Sequence, residues 1–325
     1  MVLVTTNKKL FVIGLLLLTI LTGCGRGQIP NSAEKSQANS FLSVTDDAGR
    51  TVVLAHKPEK IVVLSTSFLD LLYAVGGKAI GRPSSKTGEI PADAQSLPEV
   101  GYVYNINIEK VVALQPDLVI AFQGINEKLV PILESNQIPV LLVRMRTYQD
   151  VIDKLKLFSS IAGTGAKGEE IAHDMDGKLS SILGKLPEKQ VKVAILHATA
   201  KSVTVELENS IAGSVAKYLR LQNVAAGSRP LESEPDATPY SLEKLVESSP
   251  DMIFVVTMGQ GADIEKRMKA DVESNPAWAT LTAVKNKQIY FLPQELFLLH
   301  PGLKYPDAVE YMAKIVYPEV FAHGK

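Results

Sequence analysis

Ile108-Glu109-Lys110-Val111 leads through a short gap into Pro116-Asp117-Leu118-Val119-Ile120, and Leu242-Glu243-Lys244-Leu245 leads likewise into Pro250-Asp251-Met252-Ile253-Phe254. From glutamate to proline is seven residues in both stretches. Each reads as a helix, a Pro-Asp turn and a buried strand, ending near Gly124 or Gly259. Such a unit, met twice, predicts a duplicated pair of lobes. Between the copies lies a helical divider. Thr147 caps a helix with Val151, Leu155, Phe158 and Ala162 on one face, and Gly163-Thr164-Gly165 breaks it. A second helix carries Ile171, Met175, Leu179 and Ile182 and ends near Pro187.

Working outward, Val52–Leu54, Ile61–Leu64, Leu118–Phe122 and Val140–Val143 read as strands before the divider, and Ile80 as the start of another. Val191–Leu196, Met252–Val256 and Ile289–Phe291 read as strands after it. Helices are expected at Asp70–Val75, Ile108–Leu114, Lys128–Glu134, Ile211–Leu219, Ser241–Glu247 and Asp307–Ile315. Strands alternating with helices imply an α/β fold with sheets covered on both faces. Open α/β sheets bind ligands outside the carboxyl ends of their strands. Two lobes facing each other would bring Gln123, His197 and Met258 to one cleft.

The chain has 325 residues, enough for two lobes, and its apolar content of 46% is that of a globular protein. A formal net charge of -1 offers no basic field, which argues against nucleic acid as a partner. Lys8 and Lys9 precede the apolar run Leu10–Leu21. As a helix that run spans about 18 Å, short of a bilayer core of about 30 Å, and it fits the core of a signal peptide. Leu21-Thr22-Gly23-Cys24 follows and resembles the bacterial lipoprotein cleavage signal, in which the cysteine is diacylated and becomes the new N-terminus. Cys24 is the only cysteine, so no internal disulfide is available; its bland alternative is a buried thiol. A signal peptide is expected over residues 1–23 and a flexible tether over 24–40. Lipid on Cys24 would fix the exported body to the outer face of the cytoplasmic membrane, or to the periplasmic side in a two-membrane cell.

A family resemblance covers nearly all of residues 50–320. Its carriers are Arg50-Thr51-Val52 with Pro58-Glu59-Lys60-Ile61-Val62, Asn107-Ile108-Glu109 with Pro116-Asp117, Ser241-Leu242-Glu243 with Pro250-Asp251, and Trp278 with Ala283–Tyr290. The chain resembles the substrate-binding lipoproteins of ABC importers whose lobes are joined by one long helix, the class serving iron-siderophores, haem and cobalamin. The resemblance implies two Rossmann-like lobes, over 41–162 and 189–325, joined by a connecting α-helix within 163–188. A ligand cleft is expected between them, with a small closing motion. It also implies an ABC permease dimer and its ATPase as partners. In this class one carboxylate per lobe docks into an arginine pocket of the permease, and Glu109 and Glu243 match those positions. The alternative is two solvated glutamates favourable to their helix dipoles.

Val100–Glu109 looks most like the haem-binding branch of the class. The residue that branch uses as an axial haem ligand falls on Tyr104, a side chain able to ligate ferric haem, and its second ligand falls on Met258. His300 and His197 are further candidates for an imidazole, Tyr102 is a further ligand-binding candidate, and His56, His173 and His323 read as surface residues. Arg82, Arg144, Arg146 and Arg229 suit either haem propionates or an anionic siderophore. The expected cargo is an iron chelate, haem first, with a ferric siderophore or cobalamin as alternatives and no intrinsic cofactor. A bare zinc or manganese ion is a more distant alternative, because five scattered histidines form no ligand cluster. An enzyme is not expected: there is no Gly-x-Ser-x-Gly, no phosphate-cradling glycine loop and no His-Glu-x-x-His. A purely structural surface lipoprotein remains the third rival.

Overall fold

The computed structural model describes residues 40–85, 90–258, 272–298 and 301–321, with Ile264, Lys266 and Met268. The signal peptide, Cys24, nearly all of the tether, His300 and His323 lie outside the described residues. Among the described residues no helix is long and apolar enough to cross a membrane.

The first half opens with an antiparallel hairpin of β1 (Leu42–Thr45) and β2 (Thr51–Leu54). Its turn is built on Asp46, whose buried carboxylate accepts from the backbone N–H of Ala48 and Arg50 and from the Arg50 guanidinium. Then come β3 (Ile61–Val63), α1 (Thr66–Ala74), the small hairpin β4 (Gly101–Tyr102) and β5 (Asn105–Ile106), α2 (Ile108–Ala113), β6 (Leu118–Phe122), α3 (Val130–Ser135) and β7 (Val140–Val143). The three longer strands form a parallel sheet in the order β3-β6-β7. The strand expected at Ile80 does not form. Gly81 and Arg82 make only isolated bridges to Val62 and Glu99, and Pro83, which has no N–H to donate, ends the ladder there.

Two helices carry the chain across: α4 (Tyr148–Ala162) and α5 (Lys167–Leu183). A reciprocal cap between Thr147 and Asp150 starts α4, and Gly163 at φ 64° ends it. The second half contains β8 (Lys192–Thr199), β9 (Val203–Glu206), α6 (Ile211–Tyr218), β10 (Gln222–Asn223), β11 (Ala237–Pro239), α7 (Leu242–Ser248), β12 (Met252–Met258), α8 (Thr282–Lys285), β13 (Ile289–Phe291), α9 (Gln294–Phe297), α10 (Tyr305–Val316) and α11 (Pro318–Phe321). Its six-stranded sheet runs β11-β9-β8-β12-β13, with β10 beside β8; β8, β12 and β13 are parallel, and β9 and β11 are antiparallel additions.

The sequence repeat is a structural repeat. Asn107 caps α2 by accepting from the Lys110 N–H, and Ser241 caps α7 by accepting from the Lys244 N–H. Gln115 and Ser249, each just before the proline, both take left-handed backbone, at φ 48° and 47°. Asp117 then accepts from the N–H groups of Glu59 and Lys60 at the entry to β3, and Asp251 from that of Lys192 at the entry to β8. The Pro-Asp pair therefore pins the start of the neighbouring parallel strand in each half.

Each sheet has one face on a core of its own. Val62, Val119 and Leu142 pack in the first half, and Ala194, Leu196, Ile253 and Val255 in the second. The other faces meet one continuous core in which Phe68, Ile120 and Phe158 join Met175, Leu179, Ile195, Phe254 and Met312. Where α4 ends and α5 begins, the two helices approach so closely that a Cβ on Gly168 would clash with the Leu155 carbonyl oxygen. The buried Ser159 hydroxyl locks the junction, donating to Gly165 O and accepting from Gly168 N–H. Gly168→Ala is expected to lower the unfolding free energy by about 1–3 kcal/mol through overpacking, read as a lower urea midpoint. An unchanged midpoint would mean that the two helices can part without loss.

Candidate functional site

Residues at or just beyond the carboxyl ends of β6 and β7 in the first half, and near that of β8 in the second, border one cleft of about 200 Å³. Phe122, Gln123, Gly124 and Ile125 at the end of β6, with Arg146 after β7, form one wall. His197 on β8, Glu206 at the end of β9, Ser210 and Ile211 at the start of α6, and Asp236 before β11 form the other, closed by Phe297 and Leu298.

Within it, His197 Nδ1 lies 3.4 Å from Glu206 Oε1. The strand register sets this up: His197 is opposite Thr204, so Glu206, on the same face of β9, projects beside the imidazole. Desolvation presses the His197 pKa down, but the Glu206 hydrogen bond and charge, helped by Glu234 and Asp236, outweigh it and hold the pKa above 6.5. Glu206 is 95% buried (relative exposure 5%). Its Oε2 and His197 Nε2 are both buried and without a hydrogen-bond partner. Leaving such atoms unpaired costs about 1–3 kcal/mol each. Arg146 Nη1 reaches across to Asp236 Oδ2 at 3.5 Å, so one ion pair ties wall to wall.

A larger cavity of about 870 Å³ opens on the flank, between the start of α4 and the far end of α6 at Lys217, Tyr218 and Arg220. It is lined by helix and loop rather than by parallel-strand ends. Among the described residues, the buried side-chain atoms lacking a partner include two on the cleft and none on this cavity. The cleft is the better-built site.

The structure sorts the expected residues. Gln123 and His197 line the cleft. Met258 ends β12 opposite Thr199, which puts its backbone at the cleft end of the sheet. Tyr104 sits in the turn of the β4–β5 hairpin, 62% exposed, with Tyr102 exposed beside it. The Val103 carbonyl accepts from Asn126 Nδ2, which fastens the hairpin next to Ile125 at the cleft's edge. Neither tyrosine lines the cleft itself. Arg82 does not either: its two terminal guanidinium nitrogens are engaged within the first half, on Glu99 at 2.9 Å and on the carbonyl oxygens of Pro83 and Gln95. Of the other arginines only Arg146 lines the cleft; Arg144 is half-buried, and Arg229 is exposed. His56 and His173 are exposed.

Glu206, Asp236 and Ser210 were not expected. The alternation in Val203-Thr204-Val205-Glu206 was the available signal for the strand that aims Glu206. Glu109 and Glu243 are exposed in the first turns of α2 and α7. Both helices start at the cleft end of their half. The hairpin before α2 is tied to Asn126, and Pro239, just before α7, stands level with Thr204 and His197.

Two parallel-stranded halves around a shared helical core, with a cleft at their strand ends, define a two-lobed α/β binding protein. Residues 61–296 match the model described as periplasmic binding protein, and the chain belongs to that family. The Fe(3+)-citrate-binding protein YfmC of Bacillus subtilis is 26% identical over 97% of this chain and 98% of its own length. An ABC transporter substrate-binding protein of Listeria monocytogenes has the same fold at TM-score 0.71 and 22% identity, covering 81% of this chain and 100% of that one. Staphylococcus aureus IsdE complexed with heme matches at TM-score 0.70 and 20% identity, over 79% of this chain and 98% of that one.

The His197–Glu206 pair sets a pH dependence. A pKa held above 6.5 in the fold means the pair's contribution is fully present below about 6.5 and lost as pH rises through the raised value. In an NMR titration the His197 ring is expected to titrate above 6.5 in the wild type. Glu206→Gln should bring it down, because desolvation then faces less opposition. An unmoved His197 titration in the variant would refute the pairing.

Proposed function

We propose that this chain is the cargo-capturing subunit of an ABC importer. It binds an iron chelate between lobes 41–162 and 189–325, hinged about segment 163–188, and it is held to the membrane by lipid on Cys24. It passes the cargo to a permease through Glu109 and Glu243. The observation that carries the proposal is the equivalence of these two glutamates. Each is the exposed second residue of a side-chain-capped helix, and each leads into the same left-handed residue, proline and strand-pinning aspartate. Neither lines the cleft. Matched carboxylates, one on each half at the cleft end, suit a two-fold receptor reading both halves at once; a passive surface protein has no use for them. Among the described residues no group of three or more His, Cys, Asp or Glu could hold a bare metal ion, and the similar YfmC and IsdE are named for an iron chelate and for heme.

The cleft as described is smaller than the roughly 300–1,000 Å³ of small-molecule sites, so cargo entry requires the walls to part and the Arg146–Asp236 pair to break. Haem is the second reading, favoured by Tyr104 at the cleft's edge. His197 supports it less, because its Nδ1 is engaged with Glu206 and its raised pKa makes protonation, which would remove the lone pair iron needs, easier.

Glu109→Lys or Glu243→Lys should leave chelate affinity unchanged in solution. Each should cut permease-dependent uptake on the order of tenfold or more, as expected when one partner of a docked charge pair worth about 2–5 kcal/mol is reversed. Undiminished uptake in both variants would remove the docking role. For haem, titration of the wild type should give a saturating Soret band that shifts in Tyr104→Phe. The same spectrum in both would take Tyr104 off the iron.

A further inference from the structure

The two walls of the cleft carry opposite chemistry, and this points to the kind of chelate it accepts. On the second-half wall Glu206 presents an acceptor-only carboxylate, one oxygen facing His197 and the other, Oε2, buried with no partner. Asp236 stands on the same wall, where it and Glu234 act on His197 by charge, and it forms an ion pair with Arg146 from the opposite wall. When the walls part, Asp236 gives up that partner, and a second carboxylate joins Glu206 in needing a donor. The first-half wall keeps Arg146 and the side-chain amide of Gln123. A cargo filling this space meets two carboxylates and the unpaired His197 Nε2 on one side, and the Arg146 guanidinium and the Gln123 amide on the other; what the carboxylates need from it is a hydrogen-bond donor. A polyanion would set negative charge against Glu206 and Asp236 and leave Oε2 unsatisfied.

We propose that Glu206, with Asp236 beside it, is the specificity-determining group of the cleft, and that it takes an ammonium or other N–H donor on the rim of the iron chelate. The proposal rests on the cleft carrying an iron chelate and selects among chelates. It favours an uncharged or cationic chelate bearing a basic arm over ferric citrate or haem, whose peripheral groups are carboxylates. His197 is a positioning residue here: its contact with Oε1 fixes the carboxylate so that Oε2 is left for the cargo.

The test is isothermal titration of the full chain with four chelates. Two are ferric trihydroxamates differing only at one terminus, a free ammonium in one and its acetamide in the other; the others are ferric citrate and ferric haem. The ammonium form should bind roughly tenfold more tightly than the acetamide, as a charge-assisted hydrogen bond in a desolvated site allows. Glu206→Gln should abolish that preference, so that the two hydroxamates bind the variant equally. Asp236→Asn, at a more exposed position, should reduce the preference and serves if the Glu206 variant does not fold. Equal affinity for the two hydroxamates in the wild type, a preference kept in both variants, or tighter binding of citrate or haem would overturn the proposal and leave the iron-chelate function standing. Binding of none of the four would overturn that function itself.

Discussion

The contact on which the rest of the structure depends is the close approach of α4 and α5 where Gly168 meets the Leu155 carbonyl. A side chain at residue 168 would hold the helices apart. Ser159, one turn along α4, satisfies the backbone at the junction so that it can be dry. Because the helices touch there, Phe158 on one and Met175 and Leu179 on the other enter one core with the inner faces of both sheets. The halves are therefore not two beads on a string. Their strand ends are held facing each other by a common packed interior, which is stiff and allows small rotations more readily than separation.

On that frame the cleft-lining groups lie at or near the ends of strands. The repeat does this twice, using a left-handed residue, a proline and an aspartate to start a parallel strand beside its neighbour. It also leaves a glutamate exposed at the start of each preceding helix. The chemistry diverges between the walls. The first half contributes an arginine and an amide; the second contributes carboxylates and a histidine. An ion pair such as Arg146–Asp236, partly exposed at 3.5 Å, is worth about 1 kcal/mol or less. It biases the cleft toward closure without barring entry.

Much of this was legible in the chain itself. The helix–Pro-Asp–strand repeat, the capped α4, the glycine break and the alternation of elements are local signals, and the structure has them. Gln123 and His197 followed from one rule, that α/β ligands gather at strand ends. What escaped has a physical reason. Glu206 ends β9, whose four-residue alternation is too short to stand out by itself, and Asp236 precedes β11, which joins the sheet only by pairing with β9 across a long intervening segment. Arg82 read as a free loop cation because its partner, Glu99, is brought to it only by the fold. Asp117 and Asp251 were visible as part of a motif, but their task of pinning β3 and β8 is a contact across the sheet.

The most direct test of capture between the halves is to place the iron. Crystals of the protein grown with a ferric chelate that it binds, and measured at the iron absorption edge, would show the metal as an anomalous peak. The account predicts one strong peak in the cleft, between the wall of Gln123 and Arg146 and the wall of His197 and Glu206, with the Arg146–Asp236 pair opened. A peak in the flank cavity beside Tyr218 and Arg220, with the cleft still closed, would contradict it.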